Sequence, residues 1–112
     1  MTTDVLVRPR PIGSDYCDSV LDRLRREKSA LQALGIQHLS VFGSLARGQA
    51  TAASDIDLAV TLSGDMRVSL LGFVGLERRL EDLLGRPVDL VLEPTERPEL
   101  QQAIDRDRVL AF

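Results

Sequence analysis

The stretch Asp55-Ile56-Asp57-Leu58-Ala59-Val60 constrains this chain more than any other part of it. Side chains of a β-strand alternate between two faces with a period of two. Read as a strand over Asp55–Thr61, the stretch sends Ile56, Leu58 and Val60 to one side, into a core. Asp55 and Asp57 then project together from the other side, roughly 6–7 Å apart along the strand. Like charges side by side repel, so the pair calls for a cation between the carboxylates or for water around both. Mg²⁺, a hard ion that prefers carboxylate oxygens together with water and phosphate, suits such a pair.

A later segment, Pro87–Leu92, repeats the pattern with Val88, Leu90 and Leu92 on its apolar side and Asp89 on the other. If the two strands lie side by side, Asp89 joins Asp55 and Asp57 on one sheet face. Three carboxylates so placed could hold two metal ions, the arrangement used for in-line phosphoryl and nucleotidyl transfer. Gly43-Ser44 closes a third strand-like run, Gln37–Phe42. Glycine lets the backbone come close to a ligand. Ser44 opens a helical turn whose free N–H groups and dipole favour an anion, and Arg47 can add a charge-assisted contact to phosphate. A triphosphate would lie between this turn and the metals. Taken singly, an Asp-x-Asp is an acidic strand edge and Gly-Ser is a turn. Gly43-Ser44, an interval of ten residues, Asp55-x-Asp57 and an aspartate on a later strand form a combination that few unrelated folds produce. Gly43 and Gly48 have the spacing of P-loop glycines, but Gln49-Ala50 stands where Lys-Ser/Thr is required, which excludes that reading.

The remaining periodicities complete an α/β (α+β) domain with a small mixed β-sheet packed with helices. Ser14 is placed to cap a helix that runs to about Leu34, with Val20, Leu24, Leu31 and Leu34 inward and Arg23, Arg26 and Lys28 on a solvated face. Residues 45–54 read as a short helical turn and then a loop. Ser69–Leu84 reads as a second amphipathic helix, with Leu70, Phe73, Val74, Leu80 and Leu84 inward and Glu77, Arg78 and Glu81 outward; Gly85 stops it. A last helix is expected over Glu96–Asp105, and Val109–Phe112 is a possible final strand. Residues 1–14, with Pro9, Pro11 and Gly13 around Arg8 and Arg10, read as an extended arm in which Val5–Val7 could add a short strand. Residues 15–112 form the domain. His38 and Cys17 read as packing or surface residues outside the site.

Composition narrows the function. A chain of 112 residues allows one domain. Its single cysteine excludes an internal disulfide and a multi-thiolate zinc site. A net charge of −3 and 4% aromatic residues disfavour a grip on nucleic acid through phosphates or stacked bases. No apolar run approaches the ~20 residues of a membrane span, and the N-terminal residues have no signal-peptide pattern. The expectation is a cytoplasmic protein.

Val41-Phe42-Gly43-Ser44-Leu45-Ala46-Arg47-Gly48 followed by Ser54-Asp55-Ile56-Asp57-Leu58 resembles the nucleotidyltransferase motif of the DNA polymerase β superfamily. Together with Gly85-Arg86-Pro87-Val88-Asp89-Leu90-Val91, it resembles the minimal members, the MNT proteins, over about residues 28–112. The resemblance implies an antitoxin encoded beside a HEPN-type RNase toxin, transferring AMP from ATP to a tyrosine of that toxin. It implies that Gly43 and Ser44 form the nucleotide-phosphate turn. By the same likeness Asp55 and Asp57 are metal-binding carboxylates, and Asp89 is the third, which helps activate the attacking hydroxyl. Two Mg²⁺ ions and ATP are the implied cofactor and substrate. The N-terminal extension departs from the family pattern, and the second domain with which larger superfamily members hold their acceptor is not expected here, so a protein partner is the natural acceptor. Two alternatives are a stoichiometric toxin-binding antitoxin without catalysis and a small-molecule nucleotidyltransferase of the aminoglycoside type.

Overall fold

A computed structural model describes residues 14–64 and 69–112. The elements are α1 (Ser14–Arg26), α2 (Lys28–Ala33), β1 (Ile36–Phe42), α3 (Gly43–Ala46), β2 (Ile56–Leu62), α4 (Leu70–Leu84), β3 (Val88–Leu92), α5 (Pro98–Asp107) and β4 (Val109–Leu110). The four strands form one mixed sheet in the order β3-β2-β1-β4. β1 is antiparallel to β2 and to β4, while β2 and β3 are parallel. The expected fold class is therefore the observed one. The arm expected over residues 1–14, with Val5–Val7, lies outside the described residues, except that α1 already begins at Ser14.

The alternation in β2 works as its sequence predicts. Ile56, Leu58 and Val60 are buried in the main core with Leu39 and Val41 of β1 and Val88 and Leu90 of β3. Val20, Leu21 and Leu24 of α1, Leu31 of α2 and Leu76 and Leu80 of α4 close that core from above. Leu24 and Leu80 are wholly buried, and each such side chain contributes roughly 1.5–3 kcal/mol by leaving water. Among the described residues the opposite face is covered by α5, whose Ile104 packs on Phe42 and Ala59 with Leu100 and Val91 beside it. Asp57 and Asp89 belong to this second face.

Several boundaries and faces differ from expectation. The single helix expected from Ser14 to Leu34 is two, because Glu27 leaves helical geometry (φ −96°, ψ 9°) and its N–H turns back to the Leu24 carbonyl at 3.2 Å. Leu24 and Leu31, on either side of the break, are both buried in the core, while Leu34 is partly exposed. Ser69 caps α4, its hydroxyl accepting from Gly72 N at 3.1 Å, but Leu70 and Val74 face outward and Leu76 takes the inward position. Glu81 and Glu77 are not simply solvated. Their carboxylates accept from the backbone N–H groups of Val88 (3.0 Å) and Leu90 (3.4 Å), on the side of β3 that has no neighbouring strand among the described residues. A free sheet edge is thereby covered. Leu92, assigned to the apolar face, ends half-exposed at the strand terminus. The last helix sits two residues later than expected at each end, with Pro98 in its first turn, where proline's missing N–H costs nothing. The last strand spans Val109–Leu110, and Phe112 instead exchanges backbone hydrogen bonds with Leu39.

Candidate active site

Register brings the candidate residues to one end of the sheet. Phe42 pairs with Asp57 across β1 and β2, and Asp57 pairs with Asp89 across β2 and β3. The turn after Phe42, Asp57 and Asp89 thus lie in one row. Gly43 adopts φ +71°, the left-handed region that L side chains rarely enter. It is also pressed against Asp57: a Cβ added to Gly43 would come within 3.0 Å of the Asp57 Cγ and closer still to Oδ2. Only glycine meets both conditions, so the turn and the carboxylate form one packed unit. Ser44 follows in the first turn of α3, half-buried, its carbonyl accepting from Gln49 N at 2.8 Å.

Asp55 sits exposed just before β2, one residue outside the strand, and Asp89 is exposed on the edge strand. Asp57 is the half-buried member. Burial pushes its carboxyl up to about 6, and the negative charges of Asp89 and then Asp55 push in the same direction; Arg47 opposes them. The three carboxylates therefore interact.

Arg47 has a second engagement that sequence reasoning did not foresee. Its Nη1 donates to Asp107 Oδ2 at 2.6 Å and its Nε to Gln49 Oε1 at 3.1 Å. Asp107, the last residue of α5, thus helps to fix the cation expected to meet phosphate. Behind it, Arg108 ties α5 to the sheet, with Nη1 donating to Glu93 Oε1 at 2.8 Å and to the buried Ser40 Oγ at 3.1 Å, and Nη2 pairing with Glu93 Oε2. The hydrogen bonds from Arg108 hold the Glu93 carboxyl below the usual range against the opposing effect of burial. Neither Asp107 nor Arg108 carries a local pattern that marks it. Their partners lie 60 and 15 residues away in sequence. His38 is exposed and Cys17 buried, both outside the site, as expected.

Among the described residues, no three His, Cys, Asp or Glu side chains converge closely enough to cage an ion by themselves. Mg²⁺ does not need such a cage. It is usually held by one or two carboxylates, with water and substrate phosphates completing its octahedron. The donors here are hard oxygens, and the proton affinity of Asp57, raised first by burial and then by the charges of Asp89 and Asp55, marks a carboxylate whose charge a cation would compensate. The residues fit a cation shared with a nucleotide.

The mixed sheet thus packs a left-handed glycine turn on a strand aspartate and sets a second aspartate in register beside it. The chain belongs to the nucleotidyltransferase domain family, whose model matches residues 19–111. It is similar to the protein adenylyltransferase MntA of Thermococcus cleftensis, with 36% identity over 83 residues that cover 74% of this chain and 82% of the relative. A solved structure of a proposed minimal nucleotidyltransferase superposes with a TM-score of 0.61 at 35% identity and covers 80% of this chain and 93% of that one. The same fold occurs in a complex of a tri-AMPylated HEPN toxin with an MNT antitoxin from Shewanella oneidensis, with a TM-score of 0.61 at 20% identity, covering 83% of this chain and 71% of that one.

Proposed function

We propose that this protein is a Mg²⁺-dependent protein adenylyltransferase that moves AMP from ATP to a tyrosine of a HEPN-type RNase toxin, and so acts in the cytoplasm as its antitoxin. The observation that carries the reading is the row formed by the Gly43 turn, Asp57 and Asp89. The likeness to the Thermococcus adenylyltransferase supports the reaction, and the fold shared with the Shewanella antitoxin supports the partner.

The Gly43–Ser44 turn receives the triphosphate, because the first N–H groups of α3 have no partner within the helix. Arg47, held by Asp107, adds positive charge on the same side. Asp55 and Asp57 would hold Mg²⁺, with Asp89 contributing where a second ion is bound. Bound Mg²⁺ supplies neutralisation of the charge that develops on the phosphates. Asp89, open to solvent at the sheet edge, accepts the proton of the tyrosine hydroxyl as that oxygen bonds to the α-phosphorus. The bond from the α-phosphorus to the bridging oxygen breaks, and pyrophosphate leaves.

The test distinguishes a catalyst from a blocker. With ATP and Mg²⁺, the wild-type protein is expected to silence its toxin at far below one molecule per toxin. The toxin should gain the mass of one or more AMP groups on tyrosine and stay inactive after the antitoxin is removed. Asp57→Asn should lose this activity by about 100-fold or more while still binding. Neutralisation by Asp57→Asn equal to wild type, and only at equimolar amounts, would overturn catalysis in favour of a binding antitoxin. Transfer of AMP to an aminoglycoside but not to protein would overturn the partner.

A further inference from the structure

Arg86 is not among the residues assigned to the chemistry above, yet its hydrogen bonds converge on the loop that leads into Asp55. It lies between Gly85, the left-handed residue that ends α4, and Pro87, whose carbonyl accepts from Ile56 N at 2.9 Å where β2 and β3 begin to pair. Its Nη2 is 3.1 Å from the carbonyl oxygen of Thr51, 2.7 Å from that of Ala52 and 3.0 Å from that of Ser54. Its guanidinium carbon stands 5.4 Å from the centroid of the Tyr16 ring on α1, within range of a cation–π contact.

The segment so held leads directly into Asp55 and Asp57. It has little apolar anchorage, since Ala52 and Ala53 are exposed. It is braced instead by polar bonds: Thr51 N donates to Ser54 Oγ at 2.9 Å and Ser54 N to the Thr51 carbonyl at 3.0 Å. Three carbonyl dipoles aimed at one point repel one another unless a cation occupies that point. Arg86 provides the cation from a fixed base on α4 and β3, steadied by Tyr16.

We propose that Arg86 is a positioning residue: it fastens the 51–54 loop so that Asp55 and Asp57 present their carboxylates to a metal–nucleotide complex in one arrangement. This rests on the nucleotidyltransferase reading of the aspartates. Outer residues that orient ligands typically change metal affinity or activity by 10–100-fold when removed. Arg86→Met keeps the aliphatic stem and removes the donors. Arg86→Lys restores three N–H donors at the end of a similar stem, which suits three carbonyls on one point.

The experiment compares wild type, Arg86→Met and Arg86→Lys by amide hydrogen exchange and by calorimetry with Mg²⁺ and AMP-PNP, an ATP analogue altered at the β–γ bridge, with no acceptor protein present so that no AMP is transferred. Arg86→Met is expected to speed exchange at residues 51–55 while β2 and α4 keep their protection. It should also weaken Mg²⁺–AMP-PNP binding by about 10–100-fold, and Arg86→Lys should recover most of both losses. Exchange that rises equally throughout the protein would make Arg86 a general fold residue and overturn the proposal. Unchanged exchange at the loop, unchanged affinity, or no recovery by Arg86→Lys would also overturn it. A wild-type protein that binds no Mg²⁺–AMP-PNP would instead overturn the function proposed above, a failure visible before any variant is compared.

Discussion

Gly43→Ala tests whether the turn and Asp57 form a single unit. Two costs are expected, and the structure separates them. The first is backbone: at φ +71° an L residue pays roughly 1–2 kcal/mol. The second is contact, because the new methyl group would meet the Asp57 carboxylate and force it or the turn to move. Overpacking of that kind costs typically about 1–3 kcal/mol. Gly48 is an internal control. Its φ of +72° is almost the same, but a Cβ there meets nothing within 4 Å, so Gly48→Ala should show the backbone cost alone. With roughly 4 °C or more of melting temperature per kcal/mol for a domain of this size, Gly48→Ala should lower Tm by roughly 4–8 °C. Gly43→Ala should lower it by about twice as much.

The consequence for function is sharper. Displacing Asp57 moves a proposed metal ligand, so Gly43→Ala should lose Mg²⁺–AMP-PNP binding, and Gly48→Ala should largely keep it. The assay is chemical denaturation and calorimetry on wild type, the two alanine variants, Asp57→Ala and the Gly43→Ala/Asp57→Ala double variant. Removing the carboxylate removes the clash, so the double-mutant cycle should show a favourable coupling of about 1–3 kcal/mol. Equal losses of stability and binding in the two glycine variants, or no coupling in the cycle, would refute the claim that Gly43 is required by its contact with Asp57.

Three further outcomes follow from the electrostatics. The Asp57 side-chain carboxyl, followed by carbon NMR, should titrate near 6 without metal, and added Mg²⁺ should move the midpoint down; an unmoved midpoint would place the metal elsewhere. Because that folded pKa is raised above the ordinary 3.8, Asp57 costs stability as pH rises from about 4 through 6. Asp57→Asn should therefore melt at or above the wild-type temperature at pH 7, and a drop of several degrees would make the carboxylate structural. Glu93 has the opposite sign: its lowered pKa gives stability that is present above about 4.5, the ordinary value, and lost as pH falls through the folded one. Glu93→Gln should cost roughly 1.5–3 kcal/mol at pH 7, the range for a hydrogen bond to a charged group, and the variant and wild-type stability curves should converge in acid.

What could be read from the sequence and what could not divide along a physical line. The row of Asp57 and Asp89 was legible because a strand's period of two is local: Ile56-Asp57-Leu58 and Val88-Asp89-Leu90 each state which side chain leaves the core. The glycine turn was legible because its neighbours Phe42 and Ser44 mark the end of a strand. Interactions fixed by distant partners were not. Glu77 and Glu81 look like solvent-facing charges on a helix, and only the position of β3 makes them acceptors for its free N–H groups. Leu70 and Val74 are exposed, and the stripe that meets the core is the one Leu76 and Leu80 share with Phe73 and Leu84. Arg86 reads only as part of a motif and Arg47 as a contact to phosphate, and neither reading names the partner that the folded chain gives it. One binds the loop before Asp55, and the other binds the end of α5. The groups proposed to meet substrate are thus written in short local patterns, since their chemistry needs particular residue types at particular backbone positions. The groups that hold them in place come from elements folded against them later in the chain, where any residue with the right reach and charge would serve. For that reason the support of this site became visible only once β3, α4 and α5 were in place around it.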